Sequence, residues 1–144
     1  MDTQVGQSSL FEVDEHAWLG EQIEALRTGR YDVLDRDNLV QFLSDMASRD
    51  RRELRSRLTV LAHHLLKVAF QPGKASKSWA LTIQQQQDEI SSILDESLTL
   101  AREADALLVK AYPAAVRRAT GKTGITIGGF PATCPYTVRQ MLEA

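Results

Sequence analysis

One cysteine, Cys134, occurs in the 144 residues. An internal disulfide framework is therefore excluded, and by count so is any multi-cysteine zinc or iron–sulfur site. Charge of one sign is also missing. The formal net charge is −2, which gives no global push toward nucleic acid or a membrane surface. Long apolar runs are absent too. The most apolar window, residues 58–70, carries His63, His64 and Lys67 and is too short to span a bilayer. The opening Met1-Asp2-Thr3-Gln4-Val5 lacks the basic n-region and apolar h-region of a secretory signal. A cytoplasmic, soluble chain is the expectation. What is present is ordinary globular material: 43% hydrophobic and 25% charged residues, with 8 Gly and 4 Pro, close to the globular mean. A chain of this length buries roughly 68–70% of its unfolded surface in one core.

The hydrophobic spacing is helical almost throughout. Residues 1–10, polar with Gly6, Ser8 and Ser9, read as a flexible arm, and residues 11–144 as a single helical domain. Asp14 is placed to cap a first helix that buries Trp18, Leu19, Ile23, Ala25 and Leu26 and stops at Gly29. Asp35 caps a second, with Leu39, Phe42, Leu43 and Met46 as its apolar stripe. Ser48 either caps a third helix or lies within one continuous, bent helix. Leu54, Leu58, Leu61, Leu65 and Val68 step by 4, 3, 4 and 3, the most regular stripe in the chain. It ends at Gln71-Pro72-Gly73. Ser78 is expected to cap the next helix, in which Trp79, Ile83, Gln86, Ile90 and Ile93 repeat the same steps. Ser97 caps a fifth, built on Leu100, Ala101, Ala104, Leu107, Leu108 and Ala111. There Pro113 breaks or kinks the helix, or starts a short one ending at Gly121. Residues 121–135 hold four Gly and two Pro and read as an extended segment anchored by Ile125, Ile127 and Phe130. Thr137 with Gln140 fits a capping box for a short C-terminal helix. The expected fold is all-α, a bundle of about five main helices with a Gly/Pro-rich extended segment and a short terminal helix.

Charge is blocked along the chain. Residues 1–48 sum to −7, 49–79 to +6, 80–112 to −4 and 113–144 to +3. Alternating blocks suit neighbouring antiparallel helices. Within the positive block, Arg49, Arg51, Arg52, Arg55 and Arg57 form a basic patch, diluted by Asp50 and Glu53. Charges of this kind are usually solvated or internally paired; the alternative is a basic helix face that associates with nucleic acid.

No constellation supports catalysis. His63 and His64 are adjacent and project about 100° apart. Positions one turn on from them are Leu66, Lys67 and Val68, none of which completes a helical metal pair. His64 is expected to be a structural histidine. Gln86 stands in an apolar stripe and needs a partner, for which His64 and the backbone near Gln71 are the candidates. Gly121-Lys122-Thr123 is not a phosphate loop, since the earlier glycine position is Val116 and no strand precedes it. Cys134 has no activating neighbour in the sequence. Asp35 with Asp37 and Asp88 with Glu89 read as capping and solvated charges. No metal or cofactor is implied.

Several segments, taken together, resemble the bacterial domain of unknown function 29 family. They are Trp18 with Leu26, Gly29 and Arg30; Leu34-Asp35 with Asn38-Leu39; Ser56-Arg57-Leu58; His64-Leu65-Leu66-Lys67; Gln71-Pro72; Ser78-Trp79 with Thr82-Ile83 and Gln86; Tyr112 with Arg117; and Phe130-Pro131 with Cys134-Pro135-Tyr136-Thr137. The resemblance implies an almost wholly helical, cytoplasmic bacterial protein with no assigned activity. It differs from the family pattern at Gln41, Phe42 and Gln87, where charged residues are expected. A helix–loop–helix hairpin through Pro72-Gly73 would gather His64, Lys67, Gln71, Lys74, Lys77, Trp79 and Gln86 at one corner, a candidate docking surface for a protein or an anionic ligand. The leading functional expectation is a non-catalytic protein-interaction or homo-oligomerisation module. Nucleic-acid association through the basic patch comes second, and an enzyme with a site near His64 and Gln86 third.

Overall fold

The computed structural model describes residues 10–144. The arm expected over residues 1–10 lies outside them apart from Leu10, which is helical together with residues 11–13. Helices follow one another with no strand among the described residues. They are α1 (Glu15–Arg27), α2 (Arg36–Phe70), α3 (Lys77–Glu96), α4 (Leu98–Thr123) and α5 (Val138–Glu143). Asp14 accepts from the Ala17 N–H and starts α1; Gly29, at φ +73°, follows its end.

Residues 36–70 form one helix of 35 residues. The alternative of a fresh start at Ser48 falls away because neither Pro nor Gly interrupts those residues, so nothing breaks the ladder. α3 starts two residues earlier than expected. Ser76, not Ser78, is its cap: Ser76 lies in the extended region and its side chain accepts from the Trp79 N–H. Ser97 caps α4 through the Leu100 N–H, as expected. α4 then runs straight through Pro113. The ring removes the donor that would bond the Val109 carbonyl; the next carbonyl, Lys110, accepts a long bond of 3.4 Å from the Arg55 guanidinium.

The end of α4 also corrects the expectation. Gly121 lies inside the helix, and Gly124, at φ +76°, caps it by donating to the Thr120 carbonyl. The two glycines should respond oppositely to alanine. Gly124→Ala forces a Cβ into the left-handed region and is expected to destabilise by about 1 kcal/mol. Gly121→Ala meets nothing within 4 Å and is expected to stabilise by roughly 0.5–1 kcal/mol. Urea denaturation of the two variants checks this; equal signs would contradict the helix end at Gly124.

Beyond α4, Phe130 is buried and Ile125 half-buried, but Ile127 is 61% exposed. The 3₁₀ turn Ile127–Gly129 carries that side chain outward, so it is no anchor. Tyr112 ties the segment down by donating to the Pro131 carbonyl at 2.6 Å. Thr137 and Gln140 form the full capping box of α5.

Contacts group the chain into two compact units that divide between Ser48 and Arg49. In the first, Trp18 and Ala25 are the buried apolar side chains among the described residues, alongside the polar Gln22 and Asp35. The second carries the main core. Leu54, Leu58 and Leu61 of α2 meet Ile90 of α3, Leu108 of α4 and Met141 of α5. Ala104, Ala111 and Ala115 of α4 in the same cluster are small enough to let helices approach closely. A second cluster joins Leu66, Tyr112, Val116, Ala119 and Phe130.

Candidate functional site

In the first unit, the residues that carry the family resemblance make one hydrogen-bond network. The Trp18 indole donates to Asp35 Oδ2 at 2.9 Å. The Asn38 amide donates to the same oxygen at 2.8 Å. The Asp35 N–H donates to Gln22 Oε1 at 2.8 Å. Phe11 and Phe42 lie against the Trp18 ring, with centroids at 4.7 and 5.9 Å. A buried carboxylate is tolerable when its oxygens are satisfied in this way. The network is structural; Gln22, one turn from Trp18, carries no sequence signal beyond that spacing.

The same unit leaves much of its apolar material uncovered. Leu43 and Met46, expected on the buried stripe of α2, are 60% and 45% exposed, while Leu39 and Phe42 are half-buried. Val40, Ile23 and Leu26 are exposed as well. Every residue of α2 from 43 to 53 is exposed. The sequence pattern of that stretch is amphipathic, yet among the described residues its side chains are uncovered.

In the second unit, Lys67 and Trp79 do meet. Lys67 is 7% exposed and its Nζ lies 4.3 Å from the Trp79 ring centroid, a cation–π contact. Burial, then the charge of Lys122, lowers its pKa. Gln71 caps the end of α4 by donating to the Thr123 carbonyl at 3.2 Å. His64 is bound by its own helix, Nδ1 to the Val60 carbonyl at 2.9 Å. Lys74 and Lys77 are exposed. Gln86 does not pair with His64 or with the backbone near Gln71; its Oε1 accepts from the Arg57 guanidinium at 3.3 Å. The corner thus unites Lys67, Trp79 and, at the end of α4, Gln71. Gln87 turns out to be structural, donating to the Met141 and Ala144 carbonyls at the end of α5.

The hydrogen bond to a neighbouring helix or loop expected of a structural histidine is made by neither ring among the described residues: His64 bonds its own helix, and His63 is strongly perturbed. It is 6% exposed, and its Nε2 is buried without a hydrogen-bond partner. Burial first, then the charges of His64, Lys67, Arg118 and Lys122, push its pKa down to about 4.

The basic patch is largely engaged within the unit. Arg51 makes a forked contact with Glu103, at 2.7 and 3.2 Å. Arg57 bonds Glu53 at 3.2 Å and lies 3.8 Å from Glu89. Arg55 reaches the Lys110 carbonyl. Arg49 and Arg52 are exposed. A groove of about 440 Å³ runs beside Asp105, Tyr112, Cys134 and Tyr136. Burial pushes the Cys134 thiol up and the Tyr112 phenol up to about 12. Both shifts oppose a reactive thiolate or phenolate at neutral pH.

The family model for the domain of unknown function DUF29 matches residues 10–144. The chain belongs to that family. No curated protein and no solved structure matches it. The family carries no assigned activity, so function has to be argued from this chain's own surfaces. Among the described residues, no helix is long and apolar enough to cross a membrane.

Proposed function

We propose that this DUF29 protein is a non-catalytic self-association module of the bacterial cytoplasm, and that the exposed apolar stretch of α2 is its contact face. One observation carries the reading: Val40, Leu43 and Met46 are 60%, 60% and 45% exposed along one helix. An isolated, solvent-bathed helical stretch of three turns is marginal unless its apolar side packs on something. A unit this small, in which Trp18 and Ala25 are the buried apolar side chains among the described residues, is marginal by itself.

The proposed occupant is a second copy. Net charge changes from −7 over residues 1–48 to +6 over 49–79, and the sign change falls within the exposed stretch. Two copies crossing antiparallel there set the acidic block of each beside the basic block of the other. A twofold, self-complementary contact of this kind is the commonest form of assembly. Sedimentation equilibrium should find a dimer at micromolar concentrations. Val40→Lys with Leu43→Lys should give a monomer whose far-ultraviolet circular dichroism loses only the helical signal of the unpacked stretch of α2. A wild-type monomer at high concentration, or a variant that still dimerises, would refute the reading.

A further inference from the structure

We infer that the paired C-terminal ends of α2 and α4 form a binding site for a phosphate group, held by Lys67, Arg118 and Lys122 beside the buried His63. His63 and Lys67 are one turn apart on α2, and Arg118 and Lys122 one turn apart on α4. Each pair therefore shares a helix face. The two pairs are close enough for Arg118 and Lys122 to act on His63, and for Lys122 to act on Lys67. Gln71, bonded to the last carbonyl of α4, joins the two helix ends.

The cluster lacks a counter-charge. No Asp or Glu occurs between Glu53 and Asp88, nor between Asp105 and Glu143, and these two acid-free stretches supply the whole corner. The charges acting on His63 are all cationic. Lys67, though nearly buried, has no carboxylate or hydrogen-bond acceptor among the described residues; its neighbour is the Trp79 ring. His63 Nε2 has no partner either. His63 is thus more than nine-tenths buried with its Nε2 unpartnered, and Lys67, buried to the same degree, meets the Trp79 ring but no anion among the described residues.

Helix dipoles do not close the balance. Lys67 and Lys122 lie in the last turns of α2 and α4, where two helix ends together offset about one charge. Lys67, Arg118 and Lys122 carry three permanent charges, leaving a surplus of about two. A phosphate monoester at neutral pH brings about −1.5 to −2. The exposed Arg118 and Lys122 are placed to meet it from solvent, and the guanidinium supplies the forked donors that phosphate takes well. A monovalent anion would leave the surplus half-unmet. This site is separate from the contact face on the first unit and stands whether or not the chain dimerises.

The test is calorimetric titration of the full chain with inorganic phosphate and, in a parallel arm, glycerol 3-phosphate. One saturable equivalent is expected. Arg118→Gln and Lys122→Gln should each weaken it about tenfold, while Arg117→Gln, on the same helix outside the cluster, should leave it unchanged. Both target side chains are exposed, so circular dichroism should show intact folds. Tighter binding of the ester places the phosphate group on a small metabolite; equal binding makes free phosphate sufficient, and either supports the site. Non-saturable heats, or equal affinity in all three variants, would overturn it. So would binding of an oligonucleotide alone that is lost on replacing Arg49 and Arg52.

Discussion

Trp18→Ala is expected to cost about 3–5 kcal/mol, the range for emptying a buried aromatic site. The side chain is 0% exposed and holds three kinds of contact at once. Its faces meet Phe11 and Phe42, its N–H satisfies Asp35, and it is the largest buried side chain in a unit with few others. Removing it leaves a cavity and takes a donor from a buried carboxylate. Trp18→Phe separates the two effects. It keeps most of the apolar volume but removes the indole donor, and should cost about 1–3 kcal/mol. Because the chain has two compact units, one global unfolding midpoint is a poor readout. Hydrogen exchange is the better measurement. Amides of Glu15–Arg27 should lose protection in Trp18→Ala, while those around Leu58, Leu61 and Leu66, in the second unit's cores, should keep theirs. Retained protection in α1 would show that Trp18 does not anchor the unit.

Between pH 7 and pH 5 the second unit should lose about 2 kcal/mol of stability through His63. Its pKa is about 4 in the folded chain, against an ordinary value near 6.5 when unfolded. As pH falls below 6.5 the unfolded chain takes up a proton that the folded chain refuses, so stability declines. The decline continues to about pH 4, below which both states are protonated. The sign follows from the cause: burial first, then His64 once protonated and the cations Lys67, Arg118 and Lys122, disfavour the imidazolium. His64, also pushed down by burial, adds a smaller slope of the same sign. His63→Leu removes the titrating group and the unpaired Nε2 together. The variant should keep only the smaller His64 slope over this window, and be no less stable than wild type at pH 5. Urea denaturation at the two pH values, followed by signals from the second unit, measures the difference. Equal slopes in the two proteins would show that His63 is not held neutral. Saturating phosphate should reduce the wild-type slope, because an anion beside His63 favours its protonated form.

The comparison of sequence with structure divides along physical lines. Asp14, Ser97 and the Thr137–Gln140 box act as the caps expected of them, since a cap depends on a few consecutive residues and one backbone geometry. The Leu54, Leu58, Leu61 and Leu65 stripe is buried because a regular period puts all its members on one face. Ser78 and Gly121 failed for the same local reason. A better-placed Ser76 and Gly124 stood two or three residues away, and helix ends are decided by small energy differences.

The candidate site was legible only in part. Lys67 and Trp79 could be paired because a Pro-Gly turn sets α2 and α3 back to back. The partner of Gln86 is Arg57, not His64 or the backbone near Gln71. Arg57 sits 29 residues before it, and a long, flexible guanidinium reaches partners that spacing does not reveal. Leu43 and Met46 read as core because periodicity reports that a face is apolar, not what covers it.

The amino-acid order alone determined the helical class, the main stripe of the core, most of the caps and the family to which the chain belongs. These rest on interactions within a few turns of one helix. Tertiary structure decided the rest. Packing α2 beside α4 brought Arg118 and Lys122 to His63 and Lys67 across more than fifty residues of chain. It also buried an imidazole without a partner and left the face around Leu43 uncovered. Burial and charge proximity are properties of space, and no local pattern encodes them.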